Sequence, residues 1–191
     1  NYGDRENHPI KWNVIHSTVS PCVPGGARNI ARLIDKNHPN QGKSWQYVID
    51  PAETIQCVGD SFVAYHCGFN VHSLAYEMCD VPGPVPDDKP GSAAWKAAKR
   101  AWRWSKPNQI KMLNRTARLV ARNSLAYGIP MRFVGVKGLL AGKRGITTHA
   151  CMSKAFKKST HWDPGFWPKR TFVLLVRAHA VRIKRRAAKN A

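Results

Sequence analysis

Residues 11–18 read KWNVIHST, a short β-branched run bounded by polar residues. Such a run predicts a buried strand, and His16 stands at its end. Far downstream, residues 145–168 read GITTHACMSKAFKKSTHWDPGFWP, which gathers His149, His161 and Asp163 beside the turn formers Pro164 and Gly165. Asp163 is the only acidic residue after Asp88. Read alone, this second stretch has two explanations. Its histidines are ordinary surface or capping residues and its aspartate opens a turn, or a carboxylate has been set among imidazoles for a metal or for catalysis. Adding His16 gives two nitrogens and one oxygen. Three protein ligands and an open fourth position describe a catalytic zinc site, whereas structural zinc is closed by four ligands, often cysteines. None of the five cysteines falls in a CxxC pair.

Four separated blocks extend this reading: VIHST at 14–18, SLAYE at 73–77, YGIP at 127–130, and TTH at 147–149 with THWDPG at 160–165. In this order they resemble the type-2 N-acetylmuramoyl-L-alanine amidases, a zinc family that includes phage endolysins and is related to the peptidoglycan recognition proteins. The resemblance covers residues 13–168, and THWDPGFWP at 160–168 is similar to endolysin amidase domains of phages that attack mycobacteria and related hosts. It implies an α/β fold in which a central mixed β-sheet is flanked by α-helices, forming one catalytic domain over residues 1–191. It also implies Zn2+ on His16, His149 and Asp163, and hydrolysis of the amide between N-acetylmuramic acid and L-alanine in peptidoglycan. Glu77 then serves as general base, and a buried glutamate on an apolar strand does need a partner or a metal. His161 occupies the place where many relatives carry an oxyanion-stabilising lysine. His66, Gly68 and Asn70 match a segment beside the substrate groove, so His66 and Asn70 are candidate substrate contacts. From the residues alone, His66 and His72 are more simply hydrogen-bonded structural imidazoles.

Charge is divided unevenly along the 191 residues. Residues 1–90 hold 7 Lys and Arg against 10 Asp and Glu, a net of −3; residues 91–191 hold 24 against 1, a net of +23. The basic half predicts attraction to a polyanion, for which anionic wall polymers serve as well as nucleic acid. No helix-turn-helix, RRM or zinc-finger pattern supports a specific nucleic-acid role. The odd number of cysteines without framework spacing predicts free, mostly buried thiols and synthesis in a reducing cytoplasm, although the spacing leaves a Cys57–Cys67 bridge open. No apolar run approaches the roughly 20 residues of a membrane span, and nothing before His16 resembles a signal peptide. A chain opening on Asn1 is expected to be a monomeric module of a longer endolysin, made in the host cytoplasm and acting on the wall after release.

Periodicity places helices at 27–36, 108–127 and 168–186, and strands at 44–50, 54–58, 73–78 and 131–134. Residues 81–91 read as a proline-rich connector and 92–104 as a cationic, Trp-bearing helix. A Gly-rich loop (Gly135, Gly138, Gly142, Gly145) is expected to deliver His149, and the loop CMSKAFKKST at 151–160 to add substrate contacts. Two other functions compete with the amidase. One is a non-catalytic peptidoglycan-binding module, disfavoured because all three ligand positions are filled; the other is a basic nucleic-acid-binding domain, which zinc content separates from an amidase.

Overall fold

Both strand ends from which His16 and His149 emerge belong to one five-stranded mixed sheet. The structure is a computed structural model, and it describes residues 2–36, 42–80 and 106–190. In chain order the elements are β1 (Tyr2–Asp4), β2 (Trp12–Ser17), α1 (Gly26–Lys36), β3 (Tyr47–Ile49), β4 (Thr54–Gln56) and β5 (Phe62–Ala64). A 3-10 turn at Asn70–His72 leads into β6 (Ser73–Met78), followed by α2 (Pro107–Ala126), α3 (Val136–Leu140), β7 (Gly145–Thr148), α4 (His149–Phe156) and α5 (Lys169–Lys189). The sheet runs β4-β3-β6-β2-β7; β2 is parallel to β6 and β7, β3 is parallel to β6, and β4 is antiparallel to β3. The expected mixed α/β architecture is therefore present.

Every residue of β2 and β6 is buried, as parallel strands covered on both faces require. Side-chain alternation then sorts function from packing. Ile15, Leu74, Tyr76 and Met78 join the larger core with Met112, Ala117 and Val120 of α2 and Phe172 and Val176 of α5. Trp12 and Val14, on the other face of β2, pack with Cys67 and Met152. His16 follows Val14 by two residues and shares that face. A buried polar chain locks α2 to the sheet: Asn123 Nδ2 donates to Tyr76 Oη (2.9 Å), Tyr76 Oη donates to Asn13 Oδ1 (2.8 Å), and Asn13 Nδ2 donates to Ser124 Oγ (2.9 Å). Each side-chain group in that chain has a partner, so its burial carries no orphan penalty.

Several expectations change. The strand expected at 131–134 reduces to a single bridge between Phe133 and Ile146. The Gly-rich loop instead holds α3 and ends in β7, which pairs with β2. Gly145 is required there, because its φ is +154° and a Cβ would lie 2.5 Å from the Arg132 carbonyl oxygen. Residues 151–160 are not a simple loop, since α4 begins at His149 and is capped by Thr148 Oγ1, which accepts from Cys151 N (3.3 Å). Leu33 of α1 is 53% exposed. All five cysteines are free, which excludes a Cys57–Cys67 bridge here. The connector at 81–91 and the helix at 92–104 lie outside the described residues.

A second, two-stranded sheet of β1 and β5 has no counterpart among the expected elements. Arg5 ties it to the rest. Its buried guanidinium donates to the carbonyls of Asp60 (3.0 Å), Phe62 (2.9 Å), Ser73 (3.0 Å) and Val71. The segment between β5 and β6 is thereby held against the sheet, and that segment carries His66 and Asn70.

Candidate metal centre and catalytic cleft

Parallel pairing puts the two histidines side by side. Ile15 of β2 is in register with Thr148 of β7, so the next residues, His16 and His149, emerge together at the strand ends with ring centroids 4.4 Å apart. Asp163 enters from the loop after α4. Its backbone oxygen accepts from Ala150 N (2.9 Å), and its carboxylate reaches both rings: Oδ1 is 3.1 Å from His149 Nδ1 and Oδ2 is 3.4 Å from His16 Nδ1. Ser17 N also donates to Oδ2 (3.2 Å). One ligand atom from each of the three buried residues falls within 4.8 Å of the others, a spacing that suits a single bound cation.

A chain of hydrogen bonds fixes what His16 offers. Ser73 Oγ lies 3.0 Å from the Phe69 carbonyl and 3.2 Å from the Asn70 carbonyl; these oxygens only accept, so Ser73 donates its proton to them. It therefore accepts from His66 Nε2 (3.0 Å), which leaves His66 Nδ1 as an acceptor for His16 Nε2 (2.9 Å). The lone pair of His16 is thus on Nδ1, aimed at a carboxylate oxygen. Two electron-pair donors facing each other at 3.4 Å repel unless a cation lies between them, so the donor set fits a metal. His149 shows the same division, with Nδ1 toward Asp163 and Nε2 beside Ser159 Oγ (3.2 Å).

Electrostatics agree with ligand duty. Burial, reinforced by the nearby His149, lowers the His16 pKa to about 4, so its ring is neutral near pH 7. Burial disfavours the Asp163 carboxylate, but the imidazoles of His149 and His16 against its two oxygens outweigh burial and hold the carboxyl well below the usual range. Glu77 behaves oppositely. It is paired in register with His16, its Oε2 lies 3.8 Å from His16 Nδ1, and burial followed by the Asp163 charge raises its pKa well above normal, while a hydrogen bond from Trp45 opposes the shift.

These groups open into a cleft of about 590 Å³ lined by Lys43, Trp45, His66, Asn70, Glu77 and His161 among others. His161 is half-exposed at the rim, stacked on His149 at 4.5 Å, with Nδ1 3.9 Å from Asp163 Oδ1. Burial and the neighbouring His149 lower its pKa. Asn70 lines the cleft while its Oδ1 accepts from the backbone N–H groups of His66 (3.0 Å) and Cys67 (2.9 Å), so that oxygen braces the loop. His72 lies apart, its Nδ1 3.0 Å from the Pro9 carbonyl. Ser73, Trp45 and Ser159 were not singled out from sequence. Ser73 was legible in principle, because Ser73, Ala75 and Glu77 alternate onto one strand face; Ser159 has no local signal.

A family model for N-acetylmuramoyl-L-alanine amidases matches residues 6–166. The chain belongs to that family. No curated protein sequence gives a significant match. Among solved structures, the hydrolase AmiA of Staphylococcus aureus, determined with its ligand, is similar with a TM-score of 0.68 at 13% identity, covering 96% of this chain and 80% of that one. The PlyG catalytic domain gives 0.54 at 16% identity, covering 91% of this chain and 84% of that one. The Ph2119 endolysin of a Thermus scotoductus bacteriophage gives 0.50 at 16% identity, covering 90% of this chain and 87% of that one. At these identities the structural likeness concerns the amidase fold. Family membership supports amidase activity on peptidoglycan.

Proposed function

We propose that this amidase is zinc-dependent, cuts the bond between the lactyl group of N-acetylmuramic acid and L-alanine, and serves as the wall-degrading domain of a phage endolysin. The observation that carries the reading is the convergence of His16 Nδ1, His149 Nδ1 and an Asp163 oxygen within 4.8 Å at the floor of an open cleft, with Glu77 beside them. Zinc held by these three residues would acidify a water and polarise the scissile carbonyl. The remaining work falls to the chain itself. Glu77, its proton affinity raised by burial, accepts a proton at its carboxylate from the attacking water and returns it to the leaving amine. His161, at the rim, donates a hydrogen bond toward the oxygen that gains charge in the transition state. Trp45 holds the carboxylate of Glu77, while His66 and Asn70 form the wall along which the stem peptide lies.

Mass spectrometry of soluble muropeptides tests this reading. The expected products are free stem peptide and unpeptidated muramic acid, formed in the presence of zinc and abolished by a chelator. Cleavage within the glycan or within the peptide would overturn it.

A further inference from the structure

On the opposite side of the sheet from the catalytic cleft lies a second cavity, of about 760 Å³, between α2, the β3–β4 hairpin and Ile183 of α5. Tyr47 and the β4 residues Thr54 and Gln56 form one wall. The other wall is a row of cations on α2: Lys111, Arg115, Arg118 and Arg122. Their spacing of four, three and four residues keeps them on one helical face over about 16 Å. Arg182 of α5 extends the field, since it and Arg118 together lower the pKa of His179 after burial has done so.

Like charges at this spacing destabilise a helix, and among the described residues no carboxylate lies within ion-pair distance of any of the four. The acids of the adjoining hairpin are already engaged. Glu53 pairs with Arg28 at 2.9 Å, and Asp50 accepts from the backbone of Ala27, Ala52 and Glu53. Among the described residues Arg122 donates to two neutral partners, Asn123 Oδ1 (3.2 Å) and Tyr47 Oη (3.4 Å). Arg115 Nε is buried and has no hydrogen-bond partner among the described residues. One ammonium and three guanidiniums in a row along a groove, with no carboxylate paired to them among the described residues, ask for a linear anion.

We infer that this groove binds a phosphate-bearing polymer of the bacterial wall and so anchors the domain on its substrate. A wall polymer is favoured over nucleic acid because the groove offers no exposed aromatic platform for bases; its one aromatic residue, Tyr47, is 2% exposed. The inference rests on the amidase reading only for the location of the polymer.

The test compares the intact chain with an Arg115→Gln/Arg118→Gln double variant and with an Arg185→Gln/Arg186→Gln control that removes equal charge from exposed positions on α5. Short inorganic polyphosphate is the soluble probe, measured by calorimetry over a salt series. Bacterial walls whose phosphodiester polymers have or have not been removed by hydrofluoric acid are the solid probe. The groove variant is expected to lose at least tenfold in polyphosphate affinity, with its log–log salt slope reduced by about 1 for each arginine removed. The control is expected to lose much less, and stripping the walls to weaken intact-chain binding while leaving the groove variant unaffected. Equal losses in both variants would reduce the site to diffuse charge and overturn the inference, as would unchanged binding to stripped walls. A thymidine oligonucleotide that binds as tightly as polyphosphate, with the same dependence on Arg115 and Arg118, would replace the wall polymer with nucleic acid. Hydrolysis of a soluble muropeptide should be equal in all three proteins, so failure of the groove and failure of the amidase reading give different results.

Discussion

His16 Nε2 and His66 Nδ1 are 2.9 Å apart, and this contact decides which nitrogen of His16 is free for a metal. Removing the acceptor should therefore weaken metal binding although His66 is not itself among the three ligands. His66→Ala is expected to lower zinc affinity by about 10-fold to 100-fold in a chelator-competition titration, with Ser73→Ala giving a smaller loss in the same direction. His66→Gln retains a side-chain acceptor and should recover part of the affinity. Wild-type affinity in His66→Ala would show that the hydrogen-bond chain does not set which nitrogen of His16 meets the metal.

Glu77 separates chemistry from binding. It lies outside the three-residue ligand cluster, so Glu77→Gln should keep zinc and attachment to walls while removing the proton acceptor. Turnover is expected to fall by about 100-fold to 10,000-fold. Zinc content, sedimentation with purified walls and stem-peptide release, measured on one preparation, check the outcome. Loss of zinc would make Glu77 a ligand, and retained turnover would move the base elsewhere.

His161 is the rim donor, its half-exposed ring stacked on the buried ring of His149. His161→Ala should leave zinc content unchanged and slow hydrolysis by about 100-fold, the low end for losing an oxyanion donor. His161→Lys restores a cationic donor and should recover much of the rate. A rescue confined to KM, without recovery of kcat, would point instead to a substrate-positioning role.

The clustering of His16, His149 and Asp163 was legible because it rests on residue type and strand ends. His16 closes a β-branched run, and Asp163 is isolated among cations, so both stand out before any fold is known. The long helix was legible for similar reasons: its apolar positions recur with helical period and it stops at Gly128 and Pro130. Short elements failed where local signals conflict with tertiary pairing. The four residues Gly145–Thr148 carry too little pattern to announce β7, which owes its existence to β2. Glycine density hid α3, and the three-residue strands β1 and β5 depend on Arg5 reaching carbonyls more than fifty residues away. Glu53 needs no left-handed backbone, because Asp50 closes the turn by accepting from Ala52 N and Glu53 N.

The thiols give a pH prediction whose sign follows from burial. Burial raises the pKa of Cys67 to about 11 and that of Cys79 to about 12, from 9.0. A folded-state pKa above the unfolded value contributes stability that is complete below pH 9 and is lost as pH rises toward 11 to 12. Native protein should therefore resist iodoacetamide at both residues near pH 8 and become reactive on unfolding, and its melting temperature should fall between pH 9 and 12. Peptide mapping after alkylation checks the first part. Rapid labelling of Cys79 in the folded protein at pH 8 would contradict it.

Arg5 supplies the last prediction, because it links a remote sheet to the catalytic cleft. Its guanidinium is 4% exposed and donates to four backbone carbonyls, of which those of Val71 and Ser73 flank the turn beside the His66 segment. Arg5→Ala strands buried carbonyls without donors, so a loss of about 3 kcal/mol in urea unfolding is expected. Arg5→Lys keeps the charge but not the planar fork, and should recover less than half of that loss. Because Ser73 Oγ also accepts a hydrogen bond from His66 Nε2, the loosened turn should lower zinc affinity in Arg5→Ala even under conditions where the protein remains folded. Circular dichroism to confirm folding, followed by chelator competition, separates the two effects. Unchanged zinc affinity in folded Arg5→Ala would show that the β1–β5 sheet supports the fold alone and has no hold on the metal centre.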